Sequence, residues 1–109
     1  MPIARIIMGE QHSLEAQNQI LEDHRHACVS GFLKTADFSM AVRTGDTNIM
    51  ICTVYESEEV ADANKEERNT WLAERTHLIR EDFYYEGDVA TLIMGGGGQL
   101  MSKYPTKLD

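Results

Sequence analysis

No stretch of this chain is apolar over the roughly 20 residues that a membrane span needs, and no run of Lys and Arg is longer than two. The first absence excludes a helical membrane anchor within the sequence, so no membrane is expected as a partner. The second bears on nucleic acid. With 10 basic against 18 acidic residues the formal net charge is -8, a balance that repels a phosphate backbone. The opening residues, Met1-Pro-Ile-Ala-Arg-Ile-Ile-Met-Gly9, lack the basic start and small-residue cleavage site of a secretory signal, which makes the cytoplasm the expected location. Cysteine is scarce: Cys28 and Cys52 each lie in an apolar periodic segment, where a free thiol packs as a small hydrophobe, and no disulfide is expected. There is one tryptophan, Trp71.

What is present is enough for one domain. A chain of 109 residues buries about two-thirds of the surface that its unfolded form exposes. A large apolar sheet face would need a partner subunit to cover it.

The β-branched run at 3–8 reads as a first strand, and Ser13 is a natural N-cap for a helix that reaches Ser30. Leu14, Gln17, Leu21, His24 and Cys28, with Ile20 and Ala27 alongside, form the stripe expected to face the core, and Gly31 supplies the stop. Phe38, Met40 and Val42 alternate with Ser39, Ala41 and Arg43, the mark of a half-buried second strand. Thr44-Gly-Asp-Thr-Asn48 carries the turn residues of a hairpin into a third strand, 49–55, whose nearly unbroken apolar run predicts a central position with both faces covered. Ser57 caps a second helix with Glu58 and Glu59 in its first turn, where the helix dipole favours acids. Its buried side is read as Val60, Ala61, Ala63, Trp71, Leu72, Leu78 and Ile79, interrupted by Asn64, Glu67, Arg68 and Arg75. Glu86-Gly-Asp88 then punctuates before a fourth strand expected at 89–94. This order predicts an α+β fold, the ferredoxin-like βαββαβ sandwich, with two helices on one sheet face and nothing on the other. Pairing two such sheets face to face gives a homodimer.

Val54-Tyr-Glu-Ser-Glu-Glu59, a Trp about a dozen residues on, and Tyr85-Glu-Gly-Asp-Val89 before an apolar run resemble the antibiotic biosynthesis monooxygenase family of dimeric α/β barrels. The resemblance covers residues 3–94, and residues 1–94 are taken as the barrel domain. It implies a pocket between sheet and helices in each subunit. Members of that family oxidise aromatic polyketides or quinols with O₂ and no metal or flavin, others degrade heme, others act on small signalling molecules, and many have no known activity. Carried to this sequence, the resemblance implies a cofactor-free monooxygenase of a small phenolic or quinol-type aromatic molecule. Trp71, Arg68, Asn64 and His24 would be its catalytic group, and Arg75, Tyr84, Tyr85 and Phe38 would contact substrate. Such chemistry needs a dry pocket and positioned dipoles that favour a phenolate.

Helical spacing puts Asn64, Arg68, Trp71 and Arg75 on one stripe and turns Asn69 away from it. The plainer reading makes Trp71 a core aromatic, with the stems of Arg68 and Arg75 laid against it and their heads paired in water with Glu67, Glu74 or Glu81. The corresponding function is a non-catalytic dimeric ligand-binding or stress-associated protein.

His24 and His26 fall on nearly opposite sides of a helix and cannot share a metal. His24 and Cys28, one turn apart, show no third ligand, so no metal site is expected; His24 facing the sheet suits a neutral donor or base. His77 follows Trp71 by six positions, but the first strand offers no Asn, which argues against the heme-degrading branch. Gly95-Gly-Gly-Gly98 is followed by no Lys-Ser/Thr, so it is no phosphate loop. It reads as a hinge, with residues 95–109 forming either a C-terminal arm or a disordered tail.

Overall fold

The computed structural model describes residues 2–92. The expected hinge and arm at 95–109 lie outside the described residues. Four strands form one sheet: β1 (Ile3–Gln11), β2 (Phe38–Gly45), β3 (Asn48–Tyr55) and β4 (Ile79–Asp88), in the order β2-β3-β1-β4 with every neighbouring pair antiparallel. Helix α1 (Leu14–Ser30) follows β1, and α2 (Glu58–Ala63) and α3 (Lys65–Ala73) follow β3. This is the ferredoxin-like α+β arrangement. Both central strands, β1 and β3, pair on two sides.

Local chemistry sets the boundaries. Ser13 and Ser57 cap their helices as expected, each side chain accepting from a backbone N–H three residues on, those of Ala16 and Val60. Gly31 ends α1, yet its backbone is extended at φ -106°, not left-handed. Its glycine is required by space: a Cβ there would lie 2.8 Å from the Cα of Ala27. The helix buries Ala16, Gln17, Ile20, His24 and Ala27, whereas Leu14 is half exposed, so the core-facing stripe is shifted from the expected one and includes a fully buried amide.

Two expectations for the second half need correction. The single long helix is two helices, broken at Asn64, whose buried side chain donates to Thr35 Oγ1 in the 3-10 turn that follows α1. Helix α3 stops at Ala73, so Leu78 lies in the turn beyond it and Ile79 opens β4. The fourth strand is therefore 79–88, with Glu86, Gly87 and Asp88 inside it, while 89–92 form no strand and 93–94 lie outside the described residues. An edge strand with water on much of its surface need not be apolar, and β4 is mostly polar.

Register separates the sheet faces, since side chains directly opposite one another share a face. Ile3, Arg5, Ile7, Thr53, Ile51 and Tyr55 stand on the helix side. Ile3 and Tyr55 pack there with Ala27, Leu33 and Ala61, and a second cluster joins Ile20, Ile49 and Ile51 to Trp71, Leu78 and Ile79. Each large side chain so buried contributes about 1.5–3 kcal/mol. On the other face lie Ile6, Met8, Phe38, Met40, Val42, Met50, Cys52, Phe83 and Tyr85. No described helix covers that face, so β3 is covered on one side only, and Met8, Met40, Phe83 and Tyr85 remain 41–55% exposed.

Candidate functional site

Between the helix face of the sheet and the helices lies a cavity of about 30 Å³, room for one or two water molecules. Its apolar wall includes Ile7, Ile51, Phe32, Trp71 and Leu72, and its polar wall is Arg5, His24, Thr53, Tyr55 and Arg68. A second cavity of about 30 Å³ lies alongside and shares Ile7, Ile51, Trp71 and Leu72. Trp71 and Leu72 thus form part of the wall of both.

Arg5 enters this space from β1 and is 5% exposed. Its Nη1 donates to the carbonyl of Ala61 at 2.7 Å and its Nη2 to Asp62 Oδ1 at 2.8 Å. Its Nε is buried without a hydrogen bond, 3.6 Å from Glu86 Oε2. Arg68 reaches the same cavity from α3. Its Nη1 donates to the Tyr84 hydroxyl at 2.6 Å and its Nη2 to Asn69 Oδ1 at 3.2 Å, and its Nε is likewise buried and unbonded. Among the described residues these two Nε atoms are the only buried side-chain nitrogens or oxygens with no hydrogen-bond partner, and both arginines line the one cavity. A buried N–H left unpaired costs about 1–3 kcal/mol; for Arg5 the Glu86 carboxylate offsets this, so the Arg68 Nε is the one that lacks an acceptor.

Tyr84 links the two arginines. Its hydroxyl donates to Glu86 Oε2 at 3.1 Å, and its ring lies 4.7 Å below the Arg68 guanidinium. Burial pushes its phenol up, and the nearby Arg68 partly offsets this. Tyr55, deeper in the wall, is also pushed up by burial, with its hydrogen bond to Asn64 acting the other way.

Opposite the arginines, His24 Nε2 lies 2.8 Å from Ser39 Oγ, which lies 2.9 Å from Thr53 Oγ1. Cys28 Sγ sits 3.5 Å from the same imidazole nitrogen. Burial lowers the pKa of His24, which keeps the ring neutral at pH 7, and burial raises that of Cys28, which keeps it a thiol.

Of the residues expected at a site, Trp71, Arg68 and His24 line this cavity together, and Tyr84 is held by Arg68. The others are placed differently. Asn64 sits at the α2–α3 break, bonded to Thr35 and Tyr55. Arg75 lies beyond the end of α3, so the four-residue helical stripe does not exist; its Cζ is 4.1 Å from the Trp71 ring centroid, and it pairs with Asp23 at 2.9 Å, not with Glu67, Glu74 or Glu81. Tyr85 and Phe38 stand on the open face, across the sheet from the cavity, because their register neighbours Ile6 and Val54 do. Arg5, Tyr55, Thr53 and Ser39 were not anticipated. Arg5 carried a signal, a lone charge at an inward-alternating position of an apolar strand. Among the described residues no group of three His, Cys, Asp or Glu side chains is arranged to hold a metal.

No family model matches the chain, and no curated protein matches its sequence. Solved structures match its fold. A candidate antibiotic biosynthesis monooxygenase from Chloroflexus aurantiacus superposes with a TM-score of 0.67 at 14% identity, over 90% of this chain and 100% of that one. A protein of unknown function from Nitrosomonas europaea gives 0.65 at 12%, over 88% and 96%. The ActVA-Orf6 monooxygenase of Streptomyces coelicolor, in complex with nanaomycin D, gives 0.63 at 13%, over 86% and 92%. The chain has the ferredoxin-like fold of the antibiotic biosynthesis monooxygenase-like proteins.

Proposed function

We propose that the chain is a cofactor-independent monooxygenase of a small phenolic or quinol-type aromatic molecule, working as a homodimer. The observation that carries this is the pair of guanidinium groups, Arg5 and Arg68, in the wall of one cavity beside the only tryptophan. Two guanidinium charges at a largely apolar site favour a phenolate over a phenol, and they are worth more there than in water. Trp71 offers its ring for stacking. A phenolate with a free ring position can pass electrons to O₂ directly: one oxygen atom enters the ring as a carbonyl, the other leaves as water, and the substrate supplies all four electrons. An aromatic ring exceeds the cavity as it stands, so its entry requires Trp71 and Leu72 to swing and join the two cavities. That a monooxygenase of this fold is in complex with the ligand nanaomycin D supports a small-molecule site. The open apolar face of the sheet suits a second copy of the chain. The free thiols Cys28 and Cys52 suit a cytoplasmic setting.

Packing favours one other reading, a dimeric binding protein without catalysis: Trp71 leans on the cluster of Ile20, Ile49 and Ile51 as a core residue would. Oxygen uptake separates the two. Metal-stripped protein should consume O₂ with hydroquinones or naphthols, and Arg5→Met and Arg68→Ala should each slow turnover by about a hundredfold. Uptake no faster than the spontaneous rate with every substrate would end the oxygenase reading.

A further inference from the structure

We infer that Thr53, Ser39 and His24 form a hydroxyl relay that takes the proton of a phenol bound in the cavity and holds it on the imidazole. This rests on the reading of the cavity as a phenol site and adds the fate of the proton.

The three side chains form a continuous line of contacts. Thr53 belongs to the cavity wall, and Ser39 sits directly across from it in the β2–β3 register on the helix side of the sheet. The links Thr53 Oγ1 to Ser39 Oγ, 2.9 Å, and Ser39 Oγ to His24 Nε2, 2.8 Å, are both of hydrogen-bond length. With His24 neutral and its proton on Nδ1, the Ser39 hydroxyl donates to Nε2 and the Thr53 hydroxyl donates to Ser39. The Thr53 oxygen is then left as an acceptor for a phenol. One proton moves at each link: from the phenol to Thr53, from Thr53 to Ser39, and from Ser39 to Nε2. Both hydroxyls are regenerated, and the products are a phenolate and an imidazolium. A packed valine would fill the place of Thr53 on this face, so the hydroxyl is what the arrangement adds.

The ionisable groups around His24 fit this direction. Cys28, one turn along α1, stays a neutral thiol. Tyr55 on β3 stays a phenol, and Arg5 on β1 and Arg68 on α3 place positive charge where the phenolate forms. Burial disfavours an imidazolium standing alone, and the phenolate formed in the same cavity offsets that charge, so the relay runs with a ligand bound.

The test uses 4-nitrophenol, whose phenolate absorbs separately from the phenol, with binding followed by Trp71 fluorescence in the full chain. In the wild-type protein the bound nitrophenol should ionise at a lower pH than in buffer. In Ser39→Ala and Thr53→Val the bound phenolate fraction below neutral pH should fall about fivefold, while in Ser39→Ala, whose side chain does not line the cavity, affinity for the phenolate at high pH holds and Ser39→Thr restores the fraction. Equal ionisation in wild type and both variants overturns the relay and leaves the phenol site standing. Absence of any nitrophenol binding to the wild type overturns both.

Discussion

Gln17 is fully buried, and its amide joins three elements. Its Nε2 donates toward the carbonyls of Gly45, 3.0 Å, and Asn48, 3.1 Å, and toward Gln11 Oε1, while its Oε1 accepts from Arg43. Replacing it with leucine leaves these acceptors and the Arg43 donor unpaired, and Gln17→Leu should lose about 2–4 kcal/mol in a urea titration. Gly31→Ala presses a methyl group against the last turn of α1 and should cost about 1–3 kcal/mol in the same assay. His24 bears on stability through its proton. Burial lowers its pKa in the fold, so between the folded value and the unfolded one of about 6.5 the unfolded chain binds more protons. The stability from this group is therefore complete above about pH 6.5 and is lost as the pH falls. Urea midpoints at pH 7.5 and pH 5.5 should differ less in His24→Gln than in the wild type; equal differences would remove His24 as a contributor.

Elements were legible where sequence and environment repeat the same instruction. Helix α1 has a serine cap, a glycine stop and a stripe between them, and β2 and β3 alternate or run apolar around Asp46 and Thr47. Strand β4 was not legible. Nearly all of Arg80 to Asp88 is exposed, so neither alternation nor an apolar run marks it, and the apolar residues after it drew the expectation instead. The break at Asn64 was hidden for a related reason: its bond to Thr35 is a tertiary contact that no helical period records. The end of α3 at Ala73 misplaced Arg75, which seemed to share a helical stripe with Arg68 and instead clamps the end of α3 to α1 through Asp23. Of the candidate site, the Trp71, Arg68 and His24 group followed from the family resemblance, with helical spacing placing Arg68 beside Trp71; the hydroxyls and Arg5 depend on strand register. Arg75→Ala should cost about 1–2 kcal/mol, since the pair is half-buried, and should shift the emission of Trp71, whose ring it covers.

At the scale of the molecule, the uncovered sheet face is the dominant feature. Met8, Met40, Phe83 and Tyr85 stand on it with no described element above them. If two copies meet there, sedimentation should show a dimer, and Phe83→Glu should shift it toward monomer without emptying the cavity on the far side. A monomer at all concentrations in the wild type would remove the dimer from the proposal. The sheet order has a kinetic consequence as well. Strand β1 is made first, yet its two partners are β3 and β4, and Ile3 pairs with Asp88 in the last strand. A nascent chain cannot settle its first strand until almost all of the described residues have left the ribosome. Folding therefore begins with α1 or the β2–β3 hairpin and closes late around β1, so refolding should be slow compared with a helical bundle of the same size.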